Sequence, residues 1–227
     1  TGASVWLKRE GLQPVRSYKI RGAFNLISQL DEAHRAAGVV CASAGNHGQG
    51  VAFACARLGI RGRIFVPATT PRQKRERILA LGEGKVELAV TGDTYDEAAA
   101  AARLEAGGTK ATVVPAFDDP RTIVGQGTVA KEIVDQFGTP PDVLVAPVGG
   151  GGMISGCLAY LGERHPEVAV IGAEPAGAAS MAAAVAAGHP VELSEMDTFV
   201  DGAAVRRVGD LTFEAVRRYQ PDLYAVP

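Results

Sequence analysis

Short β-branched runs alternate with longer helical patterns along the sequence, and this alternation is the feature that most restricts the fold. The runs are continuously apolar rather than alternating between apolar and polar residues, as expected for parallel strands covered on both faces. The pattern predicts an α/β fold with parallel sheets. The predicted strands span residues 4–7, 39–43, 63–66, 85–90, 111–114, 143–148 and 168–173.

Helical patterns lie between these runs, and glycines mark the ends of several of them. A glycine just after a helix adopts positive φ without a Cβ clash, and Gly38, Gly59, Gly82 and Gly138 stand at such positions. The predicted helices span residues 18–35, 47–58, 73–81, 95–106, 127–137, 153–164 and 178–187.

The charge balance and the cysteines restrict the partners and the compartment. Lys and Arg number 23 and Asp and Glu number 25, so the net charge of −2 gives no electrostatic reason to expect nucleic acid or a membrane surface as partner. No apolar run approaches the ~18 residues that span a bilayer. Cys41, Cys55 and Cys157 form no CxxC pair, which favours a reducing, cytoplasmic setting.

Four consecutive glycines, Gly149, Gly150, Gly151 and Gly152, join the predicted strand 143–148 to a helix that begins at Met153. The loop does not fit the dinucleotide fingerprint, because Ile154 and Ser155 occupy the positions where the last glycine is required. Consecutive backbone N–H groups at a helix N-terminus form a phosphate site. The alternative is a flexible loop with no ligand.

A second loop, SAGNHGQG, also follows a predicted strand and begins a helix. Ser43, Asn46 and the backbone amides of the loop offer groups that suit a carboxylate without a cationic side chain, and Asn46 offers both a donor and an acceptor for a phenolate or hydroxyl group. The alternative is simple helix capping by Ser43 or Asn46.

Lys19 begins the first predicted helix, beside Tyr18. A positive charge is unfavourable at a helix N-terminus, so we expect the pKa of this amine to be lowered, as Schiff-base chemistry requires. On its own, this segment is more often explained by an ordinary exposed lysine. Together with the two loops, however, Lys19 points to pyridoxal 5′-phosphate as cofactor.

The sequence resembles the fold-type II pyridoxal-phosphate enzymes, and within them the catalytic domain of threonine dehydratases, which are similar to serine racemases and serine dehydratases. The matching stretches are VWLKREGLQPVRSYKIRGAFNLI, CASAGNHGQGVAFACARLG, FDDPRTIVGQGTVAKEI, PVGGGGMISG, IGAEPAGA and FVDGAAV. The resemblance implies two parallel-sheet domains with a cleft between them. Residues 1–31 and 118–227 would form the larger, cofactor-binding domain, and residues 32–117 the smaller, mobile one.

By this resemblance, Lys19 carries the cofactor as a Schiff base and then removes the Cα proton. Gly149, Gly150, Gly151, Gly152 and Met153 bind its phosphate, Asn46 its ring hydroxyl, and Ser43, Gly45, Asn46 and His47 the substrate carboxylate. Glu174 lies near the cofactor edge, where a monovalent or divalent cation would bind Glu174 and the carbonyl of Ala178. A serine racemase has a carboxylate ligand at the place of Ser180, which argues against a divalent metal.

The implied activity is deamination of L-threonine to 2-oxobutanoate and ammonia, in isoleucine synthesis or threonine catabolism, by a homodimer or homotetramer. Ala44 replaces the serine that acts on the opposite face in serine racemases, which favours a dehydratase. L-Serine dehydration or serine racemisation is the alternative within the family, and a catalytically incomplete, ligand-binding fragment is the alternative outside it. We expect the chain to be a fragment, without the family's partner of the pyridine nitrogen.

Overall fold

The computed structural model describes residues 2–227, which form two parallel sheets flanked by helices. The helices are α1 (Lys19–Ser28), α2 (Glu32–Ala37), α3 (Asn46–Leu58), α4 (Arg72–Gly82), α5 (Tyr95–Thr109), α6 (Pro120–Phe137), α7 (Gly152–Arg164), α8 (Ser180–Ala187) and α9 (Asp210–Tyr219). The strands are β1 (Val39–Ala42), β2 (Gly62–Val66), β3 (Val86–Val90), β4 (Thr112–Val113), β5 (Val143–Pro147), β6 (Ala169–Pro175) and β7 (Asp222–Val226).

The first sheet has the strand order β3-β2-β1-β4 and the second the order β5-β6-β7, with every pair parallel. In the first sheet Val39 pairs with both Gly62 and Thr112, and in the second Pro147 pairs with Ala173. All strands of a parallel sheet end at the same edge, so the loops after β1 and β4 are neighbours at one edge and those after β5 and β6 at another. The predicted α/β fold with parallel sheets is therefore confirmed.

Six of the predicted strands are present, but the prediction for residues 4–7 is wrong. Within the described residues this segment joins neither sheet, and Val5, Trp6 and Leu7 are largely exposed. The Trp6 ring packs edge-on against Phe137 with 5.1 Å between the ring centroids. The segment therefore contacts the end of α6 through Trp6 instead of pairing with a strand.

Three helix predictions also need correction. The predicted helix 18–35 is interrupted, because Asp31 caps a new helix by accepting the His34 N–H at 2.8 Å. Helix α6 begins at Pro120 rather than at 127, because Asp119 caps it. Gly82 is the last residue of α4, and Glu83 is the left-handed residue after it. Position 82 requires glycine for a steric reason, because a Cβ there would collide with the Val86 side chain.

Each sheet has its own apolar core. The first contains residues of β1, β2 and α3 together with Ala23, Leu26 and Ile27 of α1, and the second contains residues of β5, α7 and α9. Helix α1 therefore contributes to the core of the first sheet, where it packs against α3, and it also packs against α6. The domain boundaries at 31/32 and 117/118 stay a prediction. None of the helices in the described part of the chain has the length and apolarity to cross a membrane.

Helices α1, α6 and α7 approach one another through glycines. A Cβ at Gly125 of α6 would lie 2.7 Å from the Cα of Gly22 in α1, and a Cβ at Gly127 would lie 2.6 Å from the Gly156 carbonyl oxygen in α7. Backbones this close leave no space for side chains. The position of α1, and hence of Lys19 at its start, therefore depends on these contacts.

An ion cluster also holds α1 against α6. The Arg21 guanidinium donates to both carboxylate oxygens of Glu10, at 2.7 and 2.8 Å, and to both of Glu132, at 2.7 Å each. Lys8 donates to Glu132 as well, at 2.7 Å. These cations hold the pKa of the Glu132 carboxyl down at about 2. The cluster joins the N-terminal segment, α1 and α6.

Replacing Gly156 by Ala should lower the free energy of unfolding by about 2 kcal/mol, because the added methyl overpacks the α6–α7 contact. Gly107→Ala is the matched control, since a Cβ at this exposed position of α5 meets no atom within 4 Å and should add about 0.5–1 kcal/mol through helix propensity. Urea unfolding measures both changes. Equal effects at the two positions would contradict the close-packing account.

Candidate active site

The loop after β1 brings three of the predicted residues to the N-terminus of α3. The Ser43 hydroxyl accepts the Gly45 N–H at 3.2 Å, Gly45 is the N-cap, and Asn46 is the first helical residue. Asn46 is exposed and is the first residue of the helix rather than its N-cap, so it does not hold the capping position that the alternative interpretation requires. The first N–H groups of a helix have no partner within it, so they are available to an anion here.

Lys19 begins α1, and its side chain is turned into the protein. Its Nζ donates to the carbonyl oxygen of Ala116 at 2.8 Å and lies 5.5 and 5.9 Å from the ring centroids of Tyr18 and Phe117. Burial lowers the pKa of this amine to about 8. The exposed-lysine interpretation is therefore wrong, and the cause of the lowered pKa is desolvation rather than the helix dipole.

His47 is buried and uncharged. Its Nε2 lies 2.7 Å from the carbonyl oxygen of Val114, so Nε2 carries the proton and Nδ1 does not. Burial, and then the charge of Lys19, lower the pKa of the imidazole to about 4. Helix α3 also touches the backbone of Lys19, since a Cβ at Gly50 would lie 3.0 Å from its carbonyl oxygen. The SAGNHGQG loop and the lysine thus belong to one site.

The predicted glycine loop follows β5 and leads into α7. Gly151 has φ +90°, a conformation that L side chains rarely adopt, and it is the N-cap of α7. A Cβ at Gly149 would lie 2.9 Å from the Ala203 carbonyl oxygen, and one at Gly152 would lie 2.8 Å from the Cβ of Phe117. Met153, the second residue of α7, is buried. The loop is therefore a close-packed backbone cradle and not a flexible linker.

Phe117 connects the glycine loop to the lysine. Its ring lies against the position that a Cβ on Gly150 would occupy, and 5.9 Å from Lys19 Nζ. In the same short segment, the carbonyl oxygen of Ala116 accepts a hydrogen bond from Lys19 Nζ, and that of Val114 accepts one from His47 Nε2. Three separate stretches of sequence are brought together by this one segment.

Glu174 lies behind the glycine loop, at the end of β6. Its two carboxylate oxygens accept the N–H groups of Met181 and Ala182 at 2.8 Å each, and burial raises the pKa of the carboxyl. The carboxylate thus caps α8, whose Met181 side chain reaches Gly151. Among the described residues no three His, Cys, Asp or Glu side chains form a metal-binding group. A cation bound by Glu174 and Ala178 stays a prediction.

The protein-family model described as "Pyridoxal-phosphate dependent enzyme" matches this chain over residues 1–227. The chain belongs to this family. The arrangement described above fits the cofactor, since a glycine cradle at a helix N-terminus suits a phosphate and a buried lysine of lowered pKa stands beside it.

Similar proteins include "L-threonine dehydratase biosynthetic IlvA" of Mycobacterium tuberculosis (strain ATCC 25618 / H37Rv), which is 59% identical over 216 residues, covering 95% of this chain and 50% of that protein. The chain thus spans about half the length of the curated relatives it matches. The processed form of threonine deaminase isoform 2 from Solanum lycopersicum is 43% identical with a TM-score of 0.91, over 96% of this chain and 63% of that one. Maize serine racemase is 32% identical with a TM-score of 0.89, over 96% of this chain and 64% of that one.

Two features of the site were not predicted from the sequence: the Ala116 carbonyl that accepts from Lys19, and the residues that pack around the glycine loop, such as Phe117. Ala116 acts through its carbonyl group, which every residue type possesses. Phe117 and Asp118 stand within the FDDP stretch that supported the resemblance. An aromatic residue next to a carboxylate residue, shortly after the predicted strand 111–114, was the sequence feature that could have indicated their role in the site.

The lowered pKa of Lys19 predicts a specific pH dependence of stability. The folded protein binds this proton with a pKa of about 8 against the ordinary 10.5, so between these pH values only the unfolded chain holds it. The free energy of unfolding of the apoprotein, relative to Lys19→Met, should therefore rise by about 3 kcal/mol from pH 7 to 10.5.

Urea titrations at pH 7, 9 and 10.5 measure this difference. Lys131→Met is the control, because Lys131 is an exposed residue on α6 paired with Asp135 and should show no such rise. A wild-type minus Lys19→Met difference that stays constant with pH would show that Lys19 is charged in the folded protein.

Proposed function

We propose that this chain forms the catalytic part of an enzyme that converts L-threonine to 2-oxobutanoate and ammonia. The observation that carries the proposal is the buried Lys19 amine, held 2.8 Å from the Ala116 carbonyl oxygen and beside a ring that packs on the glycine loop. The names of the threonine dehydratase and threonine deaminase relatives support the choice of substrate. The word "biosynthetic" in the bacterial name supports a role in isoleucine synthesis over one in catabolism.

In this proposal the N–H groups of 149–152 and of Met153 hold the cofactor phosphate, Asn46 pairs with the ring hydroxyl, and Lys19 is the attachment point. Bound pyridoxal phosphate supplies an aldehyde carbon for the substrate amine and a conjugated ring that accepts the electron pair released at Cα. The residues of the chain then have to orient the amino acid, exclude water and move one proton.

The neutral Lys19 Nζ is the base that takes the proton from Cα. An amine with a pKa of about 8 is partly neutral at physiological pH and accepts a proton without a large penalty. The Ala116 carbonyl aligns Nζ, because it accepts one of its N–H bonds. The protonated amine can then return this proton to the departing β-hydroxyl group, which leaves as water.

The first turn of α3 binds the substrate carboxylate in this account. Ser43, Gly45, Asn46 and His47 present N–H and hydroxyl groups at a helix N-terminus, where the partial positive charge favours an anion. His47 contributes through its backbone and its shape rather than through charge, because its imidazole is neutral at pH 7. The bound carboxylate thereby fixes Cα relative to Lys19.

Ala44 favours dehydration over racemisation. Its methyl group offers no proton to the face of Cα opposite Lys19, although the chain is also similar to maize serine racemase. L-Serine remains the main alternative substrate, because one extra methyl group in a pocket changes specificity by only ~10–200-fold.

The finer predictions complete the proposal. Residues 32–117 form the smaller mobile domain, residues 1–31 and 118–227 the larger one, and the cleft between them closes on the substrate. The separate apolar cores of the two sheets support this division except at α1, whose Ala23, Leu26 and Ile27 belong to the core of the first sheet. A cytoplasmic location is supported by three buried free cysteines. Assembly into a homodimer or homotetramer, and a cation at Glu174 and Ala178, stay predictions.

The test is turnover by the purified chain with added pyridoxal phosphate, comparing L-threonine, L-serine and D-serine as substrates. We expect 2-oxobutanoate from L-threonine as the main product, and a loss of at least about a hundredfold in kcat with Lys19→Ala. Lys131→Ala should retain the wild-type rate.

Borohydride reduction followed by peptide mapping decides the alternatives. A cofactor mass on Lys19 without turnover would identify a ligand-binding fragment, and faster reaction with serine would identify a serine enzyme. A cofactor mass on another lysine, with turnover retained in Lys19→Ala, would overturn the proposed mechanism.

A further inference from the structure

Asp118, directly after Phe117, holds the N-terminus of helix α9. Its Oδ2 accepts the Asp210 N–H at 3.0 Å, and its Oδ1 accepts those of Leu211 and Thr212 at 2.9 and 3.3 Å. A carboxylate at a helix N-terminus is stabilised by both the free N–H groups and the helix dipole. Helix α9 is therefore fixed to the segment that orients Lys19.

Thr212, in the first turn of α9, is fully buried against the glycine loop. Its hydroxyl lies 2.7 Å from the Gly150 carbonyl oxygen and 3.1 Å from that of Gly209, so its single proton is donated mainly to the shorter contact. The Thr212 carbonyl in turn accepts the Ser155 hydroxyl of α7 at 3.3 Å. Thr212 thus connects α9 to the glycine loop, at Gly150, and to α7, at Ser155.

The bond to Gly150 determines where the next N–H points. The peptide between Gly150 and Gly151 is planar, and the described chain contains no cis peptide, so the Gly150 C=O and the Gly151 N–H point in opposite directions. Glycines have unusually wide backbone freedom, and without this bond the peptide could rotate. Holding the carbonyl toward Thr212 therefore directs the Gly151 N–H away from α9.

We propose that Thr212, held in place through Asp118 and α9, is a positioning residue that orients the Gly150–Gly151 peptide for binding of the cofactor phosphate. This inference rests on the proposed function, because it assumes that the glycine loop binds that phosphate. It accounts for a buried hydroxyl that the proposed chemistry does not otherwise use. It also explains the tight fit, since a Cβ on Gly151 would lie 2.7 Å from the Thr212 Cβ.

The test compares two ligands that differ only in the phosphate. Binding of pyridoxal phosphate and of pyridoxal to the apoprotein is measured by fluorescence quenching, together with the rate of borohydride trapping at Lys19. In Thr212→Val the side-chain volume stays nearly constant while the hydroxyl is lost. We expect the Kd for pyridoxal phosphate to rise about tenfold, which corresponds to the loss of one buried hydrogen bond. The Kd for pyridoxal should change less than twofold.

Two further variants separate positioning from general damage. Thr212→Ser keeps the hydroxyl and should remain within about threefold of wild type for pyridoxal phosphate. Thr109→Val removes an exposed hydroxyl at the end of α5 and should leave both Kd values unchanged. Asp118→Ala, which removes the cap of α9, should also weaken the binding of pyridoxal phosphate but not that of pyridoxal. This variant replaces Thr212→Val in the test if Thr212→Val does not fold.

The outcomes distinguish this inference from the function on which it rests. Wild-type protein that binds pyridoxal phosphate no better than pyridoxal would overturn both. Wild-type preference for pyridoxal phosphate that survives in Thr212→Val, or equal weakening of both ligands in the folded variants, would overturn only the role of Thr212.

Discussion

The carbonyl groups of Val114 and Ala116 are the acceptors on which the geometry of the site depends. One accepts from His47 and the other from Lys19, and the next two side chains, Phe117 and Asp118, contact the glycine loop and cap α9. Residues 114–118, which follow β4, thereby fix four parts of the site that are far apart in sequence. The Val114 N–H donates to the Val40 carbonyl oxygen of β1 at 2.9 Å, so the segment is tied to the first sheet. A site must hold its reacting groups in place, and this attachment serves that need.

Burial then sets the charge state of the groups collected there. Desolvation lowers the pKa values of both Lys19 and His47, and the charge of Lys19 lowers that of His47 further. In the proposed function, anion binding is left to helix N-termini and loop N–H groups, at α3 and α7, whose partial charges need no counter-ion. On that proposal the site holds an anionic cofactor and an anionic substrate while Lys19 stays available as a base.

The local parts of this arrangement could be predicted from the sequence, and the contacts between them could not. The strand–glycine–helix junction at 149–152 and the loop at 43–47 have compositions that only a few backbone structures accept. Ala116 could not be found in this way, because its carbonyl is common to all residues. Helix α9 and strand β7 were missed, because α9 buries only Thr212, Phe213 and Val216 and β7 is mostly exposed, so neither has a long apolar run. Tertiary contacts decided these elements.

A crystal structure of the borohydride-reduced complex with pyridoxal phosphate tests the central claim most directly, because it locates both ends of the cofactor at once. The account predicts continuous density from the cofactor to Lys19 Nζ, with the phosphate within hydrogen-bond distance of the N–H groups of 149–152 and Phe117 unmoved between them. Density on another lysine, or a phosphate bound away from the glycine loop, would contradict it.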